Sequence, residues 1–116
     1  MSTARENFEL AQQRYAATFE RHLDNGVNFI SDNVCIEPEV VIAPGATILP
    51  GCILRGNTTI AAGSVIGPGS VLTDAVIGKN CIVGAGSVLK GAYPAGSVIV
   101  QKRQTTVTVY PTGTEK

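Results

Sequence analysis

The sequence has little of what a globular core of its size usually contains. Among its 116 residues there is no Trp, and aromatic residues make up only 5%. The nine basic and nine acidic side chains cancel, which argues against a basic nucleic-acid-binding face and against attraction to anionic lipid. No apolar run approaches the roughly 18 residues of a membrane span, and residues 1–10 have no signal-peptide core. We therefore expect a cytoplasmic protein with neither a nucleic-acid nor a membrane partner.

Cysteine is also scarce. The three cysteines, Cys35, Cys52 and Cys81, leave one thiol over in any disulfide scheme and form no CxxC motif. Reduced thiols in a cytoplasmic protein are the simpler interpretation.

The segment before Gly26 has the pattern of an amphipathic helix over residues 3–25. Thr3 and Glu6 form a capping-box pattern, and Gly26 is a typical helix stop. Apolar residues recur in it at spacings of three and four: Phe8, Ala11, Tyr15, Phe19 and Leu23. Because a lone helix cannot bury such a stripe, we expect it to dock on the rest of the chain or on another subunit.

The strongest signal is a six-residue period. Large aliphatic residues recur six apart and resume after a one-residue deletion, at Ile30, Ile36, Ile42, Ile48, Leu54, Ile60, Ile66, Leu72 and then Ile77, Val83 and Leu89. Three residues after them come types that tolerate the left-handed backbone region, with Glu39 as the exception: Asn33, Gly45, Gly51, Asn57, Gly63, Gly69, Asn80 and Gly86. The residue after the turn is often small, as a crowded corner requires, and Cys52 and Cys81 occupy this slot.

A short strand and a fixed turn every six residues is the pattern of a hexapeptide β-helix. Three hexads form one triangular coil of about 18 residues, and coils stack about 4.8 Å apart. We predict an all-β solenoid, a parallel β-helix of about four coils over residues 28–100, with an N-terminal helix in residues 1–27 and a C-terminal strand and tail in residues 101–116. The deletion is expected to be absorbed in a corner. The expected ladders of stacked residues are Ile30–Ile48–Ile66–Val83, Ile36–Leu54–Leu72–Leu89 and Ile42–Ile60–Ile77.

Several stretches contain motifs beyond the six-residue period: NFELA at 7–11, NGVNFI at 25–30, LRGNT at 54–58, VIGP at 65–68, GAGS at 84–87, PAGS at 94–97 and RQ at 103–104. Together they resemble the linker helix and acetyltransferase-domain coils of the bifunctional UDP-N-acetylglucosamine pyrophosphorylase/glucosamine-1-phosphate N-acetyltransferase family. The resemblance spans residues 5–104 and implies a left-handed parallel β-helix that trimerises. The hand comes from the family alone, because parallel crossovers are otherwise right-handed.

The sequence departs from that family at its catalytic segments. The nucleotidyltransferase domain with its Gly-rich loop has no counterpart, and the His-Leu-x-Tyr and Asn-Tyr-Asp-Gly segments of the acetyltransferase centre are missing. Arg5 falls where the family has a metal-binding Asn, and the only histidine, His22, lies in the predicted helix, where we expect it to be solvated or at an interface. One histidine also excludes a γ-class carbonic anhydrase, which needs three for Zn²⁺. We predict no catalytic residue and no metal site, and expect neither glucosamine-1-phosphate acetylation nor uridylyl transfer.

The resemblance implies one surviving ligand site, for acetyl-CoA. The positions that match acetyl-CoA contacts of the family are Gly84, Ala85, Gly86, Ser87, Lys102 and Arg103. The alternative is that residues 84–87 form one more hexad turn like residues 67–70, and that the basic residues form a solvated rim.

Two functional hypotheses follow. The first is a non-catalytic homotrimer that serves as an assembly or regulatory module, with a separate nucleotidyltransferase chain as a further partner. The second is an acetyl-CoA-dependent acyltransferase with its site between subunits. A prism of about four coils buries little apolar surface, so both hypotheses start from a trimer, in which we expect the helix to cap the first coil near Phe29 and Ile30.

Overall fold

The computed structural model describes residues 3–102 and 106–111 of the chain, and it begins with the predicted helix. Helix α1 (Ala4–Asp24) starts at a complete capping box. Thr3 Oγ1 accepts a hydrogen bond from the Glu6 backbone N–H at 3.1 Å, and the Glu6 carboxylate accepts one from the Thr3 N–H at 2.9 Å. The helix ends at Asp24, and Gly26, with a φ of +94°, turns the chain into the solenoid.

The strands stack in three columns. The first column is β1 (Asn28–Phe29), β4 (Thr47–Ile48), β7 (Val65–Ile66), β9 (Ile82–Val83) and β11 (Ser97–Lys102). The second column is β2 (Cys35–Ile36), β5 (Ile53–Arg55) and the first halves of β8 (Val71–Ile77) and β10 (Val88–Tyr93). The third is β3 (Val41–Ile42), β6 (Thr59–Ile60) and the second halves of β8 and β10.

All neighbours within a column pair in parallel, and β12 (Thr106–Pro111) pairs antiparallel with β11 at one end of the first column. The predicted parallel β-solenoid of about four turns with one N-terminal helix is therefore confirmed. Among the described residues, no helix is long and apolar enough to cross a membrane. The expected tail after Pro111 lies outside the described residues.

The inward residues of successive coils stack on one another and form the core. Two of the expected ladders are confirmed in full, and their members are at most 2% exposed: Ile36–Leu54–Leu72–Leu89 and Ile42–Ile60–Ile77. The third is wrong in its first member, because Phe29 and not Ile30 pairs with Ile48. The Asn28 N–H donates to the Ala46 carbonyl at 2.8 Å, which fixes the register of β1. Side chains alternate along a strand, so Ile30 points outward and is 67% exposed.

The one-residue deletion is absorbed in a corner, as predicted. The three residues 56–58 of one coil lie opposite only Asp74 and Ala75 of the next. Asp74 has a φ of +50°, and its carboxylate accepts a hydrogen bond from the Asn57 N–H at 2.8 Å. Gly56, with a φ of +65°, takes the left-handed conformation expected of Asn57. A side chain at Gly56 would run into the Asp74 carboxylate, so the closely packed position is the one occupied by glycine.

The small residues at the corners are buried and bonded to backbone carbonyls. Ser70 Oγ donates to the Gly67 carbonyl at 2.8 Å, and Ser87 Oγ donates to the Gly84 carbonyl at 2.7 Å. Cys52 and Cys81 are buried in the same slot, as predicted, and burial raises the pKa of the Cys52 thiol.

Candidate functional site

Helix α1 covers the open end of the first coil with its C-terminal half. The Phe19 ring packs on Phe29 with ring centroids 4.6 Å apart, which confirms the expected contact near Phe29. The buried face of α1 is otherwise rotated relative to the predicted apolar stripe: Thr18 and His22 are buried, whereas Phe8 is 61% exposed. The Val27 N–H donates to the His22 carbonyl at 3.1 Å and the Gly26 N–H donates to the Leu23 carbonyl at 3.2 Å, which caps the last turn of α1 where the chain enters the first coil.

His22 lies inside this contact and is only 5% exposed. Of the two expected placements of His22, the solvated one is therefore wrong, and the residue lies at the interface between α1 and the first coil. Its Nε2 is buried and has no hydrogen-bond partner among the described residues. Burial, helped by the positive charge of Arg21, holds the pKa of the imidazole below its ordinary value of 6.5.

A groove of about 540 Å³ lies between the middle of α1 and the segment that leads into β2. Aromatic and small apolar side chains line much of it: Phe8, Ala11, Tyr15, Phe19, Val34 and Cys35. A second groove of about 270 Å³ begins at Tyr15 and Cys35 and reaches Ile53 and the neighbouring pair of Glu37 and Arg55. The two grooves share Tyr15 and Cys35, so the helix groove continues onto the second column.

An apolar row runs along the outside of the second column. It consists of one outward residue from each coil, paired in register: Cys35, Ile53, Val71 and Val88. Ile53 is 38% exposed and Val88 is 58% exposed. On the other two columns the corresponding rows are interrupted by polar residues, Thr47 in the first and Thr59 in the third.

A polar row runs beside the apolar row on the same face. Its members are Glu37, Arg55, Thr73 and Lys90. The Arg55 guanidinium lies 3.9 Å from the Glu37 carboxylate, which also accepts a hydrogen bond from the Gly56 N–H at 3.0 Å. Arg55 is therefore held at the coil surface.

The acetyl-CoA positions suggested by sequence lie in a corner of the fourth coil, in the turn Gly84–Ser87. This turn repeats the turn Gly67–Ser70 one coil below, including the left-handed glycine and the serine-to-carbonyl hydrogen bond. Three of its donors are engaged within the solenoid: the Gly84 N–H donates to the Ile99 carbonyl and the Gly86 N–H to the Pro68 carbonyl, each at 2.8 Å, and the Ser87 hydroxyl donates to the Gly84 carbonyl. The turn thus offers little of the donor set that an anionic ligand needs, and its contact with acetyl-CoA stays a prediction.

Of the two basic positions of that site, only the backbone of Lys102 lies among the described residues. Strand β11 lies over β9 at Val98 and Ile99 and then continues to Lys102, where it pairs with Thr106 of β12. The backbone of Lys102 thus forms part of the hairpin of β11 and β12. Arg103 lies outside the described residues.

Sequence reasoning missed the apolar row and the burial of His22. The row had a signal, because the residue before each inward residue of the second column is Cys, Ile or Val. The burial of His22 had none, since it depends on how α1 is rotated against a coil that is distant in sequence. Among the described residues, no three His, Cys, Asp or Glu side chains come together as a metal site.

A family model described as GMPPB C-terminal domain matches residues 22–111, from the last turn of α1 to the end of β12. The match covers the coils and β12 but only the last three residues of α1. It supports the suggested resemblance at the coarser level of a hexapeptide-repeat region related to nucleotidyltransferases. No curated protein matches the chain.

Proposed function

Because the chain belongs to the GMPPB C-terminal domain family, a hexapeptide-repeat family related to nucleotidyltransferases, we propose that it is a non-catalytic assembly module that forms a homotrimer. The observation that carries the proposal is the apolar row, which stays exposed on an outer face although the core is filled. Exposed apolar surface that is contiguous and rimmed by polar residues is typical of protein–protein contacts.

The direction of the apolar row supports rotational symmetry. Its four members follow the stacking direction of the coils, so copies with parallel axes would bury the whole row at once. In a three-fold arrangement each copy presents one face to a different face of its neighbour, and the ring closes. The polar row beside it, with Arg55 and Lys90, would then lie at the rim of each contact.

The chemistry of the corners supports a non-catalytic role. The small hydroxyl side chains of the coils are buried and already donate to backbone carbonyls: Thr58, Ser64, Ser70, Ser87 and Ser97. The imidazole of His22 is buried between α1 and the first coil. These groups hold the solenoid together and are not poised to attack a substrate.

A nucleotidyltransferase unit is the partner that this module would assemble. The family is described as a C-terminal domain, which supports a unit that precedes the module or binds it as a separate chain. Helix α1 and its aromatic groove lie at the N-terminal end of the solenoid, where such a unit would meet it.

Light scattering after size exclusion tests the trimer. The wild-type chain at micromolar concentration should elute with about three times its mass of 12.0 kDa. Val88→Lys, in the apolar row, should shift the mass to the monomer. Leu10→Lys is the matched control, since Leu10 is 55% exposed against 58% for Val88 but lies on α1, outside the three strand columns. A monomeric wild-type chain, or equal effects of the two substitutions, would contradict the proposal.

A further inference from the structure

The contact between α1 and the first coil contains the only histidine of the chain, at a place where its charge matters. His22 is 5% exposed, its Nε2 is buried, and no described group hydrogen-bonds this nitrogen. The residue also carries the carbonyl that accepts the Val27 N–H at 3.1 Å in the C-terminal cap of α1, so the imidazole lies beside the junction through which the helix enters the first coil. A neutral imidazole leaves one nitrogen unbonded at modest cost, whereas an imidazolium there would bring a charge into the contact.

Few charged groups face His22. From α1 they are Arg21 and Asp24, which line with it a groove of about 420 Å³. The first coil contributes only side chains without an ionisable group to that groove: Pro38, Val40, Val41 and Ile42.

Two carboxylates flank that segment of the first coil. Glu37 is engaged with the Gly56 N–H and Arg55, and Glu39 is exposed. The Arg21 guanidinium donates to the Pro38 carbonyl at 3.3 Å and keeps a positive charge beside the imidazole. No described carboxylate is therefore bonded to His22, and a proton on its ring would meet burial and a like charge together.

We propose that His22 is a proton-sensitive clasp: the neutral imidazole lets α1 dock on the first coil, and protonation releases the C-terminal half of the helix. Release would uncover Phe29 and the edges of β1, β2 and β3. The aromatic groove between α1 and the first coil would be lost at the same time, so acid would remove one surface and expose another.

The direction of the pH effect follows from linkage. The docked pKa of His22 lies below the ordinary 6.5, because burial and Arg21 disfavour the charged form, and the undocked imidazole returns to that ordinary value. The undocked state therefore binds the proton more tightly. Docking is strongest above about pH 6.5 and weakens as the pH falls, by up to about tenfold per pH unit between the two pKa values.

Nuclear magnetic resonance of the chain labelled at histidine tests this directly, because a single histidine gives a single titrating ring signal. We expect His22 to titrate below pH 6.5. The protection of the Val27 amide against hydrogen exchange, corrected for the intrinsic rate, should fall as His22 becomes protonated.

Two variants separate the imidazole from other titrating groups. His22→Leu should make the Val27 protection independent of pH between 5 and 7. Asp24→Asn, which removes the other titrating group of the groove on the same helix, should keep the wild-type dependence. If His22→Leu does not fold, the wild-type titration still decides. An imidazole that titrates at or above 6.5, or Val27 protection that does not follow its protonation, would overturn the clasp.

Discussion

The positions that are least tolerant of change are those where one coil approaches the backbone of the next. A Cβ on Gly67 would lie 2.5 Å from the Val83 carbonyl oxygen and 2.7 Å from the Ala85 nitrogen. A Cβ on Gly69 would meet nothing within 4 Å, although the φ of Gly69 is +72°. The two glycines, two residues apart in one turn, are therefore required for different reasons.

This difference predicts a difference in stability. Gly67→Ala pushes a methyl group into backbone that cannot rotate away, and should lower the free energy of unfolding by about 3 kcal/mol. Gly69→Ala incurs only the left-handed strain and should cost about 1 kcal/mol. Urea unfolding of both variants, with the slope checked against wild type, measures the two costs. Equal costs would mean that stacked coils separate easily at this corner.

At the scale of elements, α1 is attached by a small part of its surface. Phe19 is half-buried against Phe29, whereas Phe8, on the same expected stripe, is largely exposed. Phe19→Ala should therefore cost about 2 kcal/mol, less than the 3–5 kcal/mol typical of a fully buried ring.

Phe8→Ala is the matched control and should cost less than about 0.5 kcal/mol, as an exposed substitution does. Thermal unfolding of both variants at the same protein concentration compares them. If Phe8→Ala is the more destabilising change, the N-terminal half of the helix is buried in the assembly and carries more of its stability.

The elements that sequence predicted best are those whose signals are local or repeated. Thr3 and Glu6 fix the start of α1 because their hydrogen bonds close within one turn. The ladders from Ile36 onward follow because each hexad repeats the same geometry. The first rung failed at Ile30, since a slip of one residue exchanges the two faces of a strand. The register of β1 is set by the hydrogen bond from the Asn28 N–H to the Ala46 carbonyl, which the six-residue period does not predict.

At the scale of the whole molecule, the candidate ligand site was the least predictable feature. The Gly-Ala-Gly-Ser turn at residues 84–87 resembles an acetyl-CoA contact and is also an ordinary corner of this solenoid. Only the donors distinguish the two, and those of Gly84 and Gly86 are bonded to neighbouring coils. The coils above and below determine which N–H donors of a repeat remain free to bind a ligand. The motif alone therefore does not show whether the turn binds acetyl-CoA.

Calorimetry with acetyl-CoA tests this conclusion on the assembled protein. The Gly84 and Gly86 N–H groups and the Ser87 hydroxyl are already bonded within the solenoid. We therefore expect no saturable heat up to about 1 mM ligand, which corresponds to binding weaker than about −4 kcal/mol. Saturable heat that Ala85→Glu abolishes would instead establish the turn as a ligand site. Pro68→Glu, at the equivalent exposed position one coil below, should leave any such binding unchanged.

The short corner at Asp74 and Ala75 also bears on how the chain finds its alignment. Ile36 and Leu54 are 18 positions apart, whereas Ile66 and Val83 are 17 apart. A chain whose coils all had equal length would pair with itself almost as well after slipping by one whole coil, since every inward residue would still meet an aliphatic partner. The coils shorten along the stack, to 17 residues at this corner and to 16 between Val83 and Ile99, and this removes the degeneracy, because a slipped alignment would place outward residues in the core beyond the corner. Coils of unequal length thus fix the alignment of the chain and the number of coils on either side of the short corner.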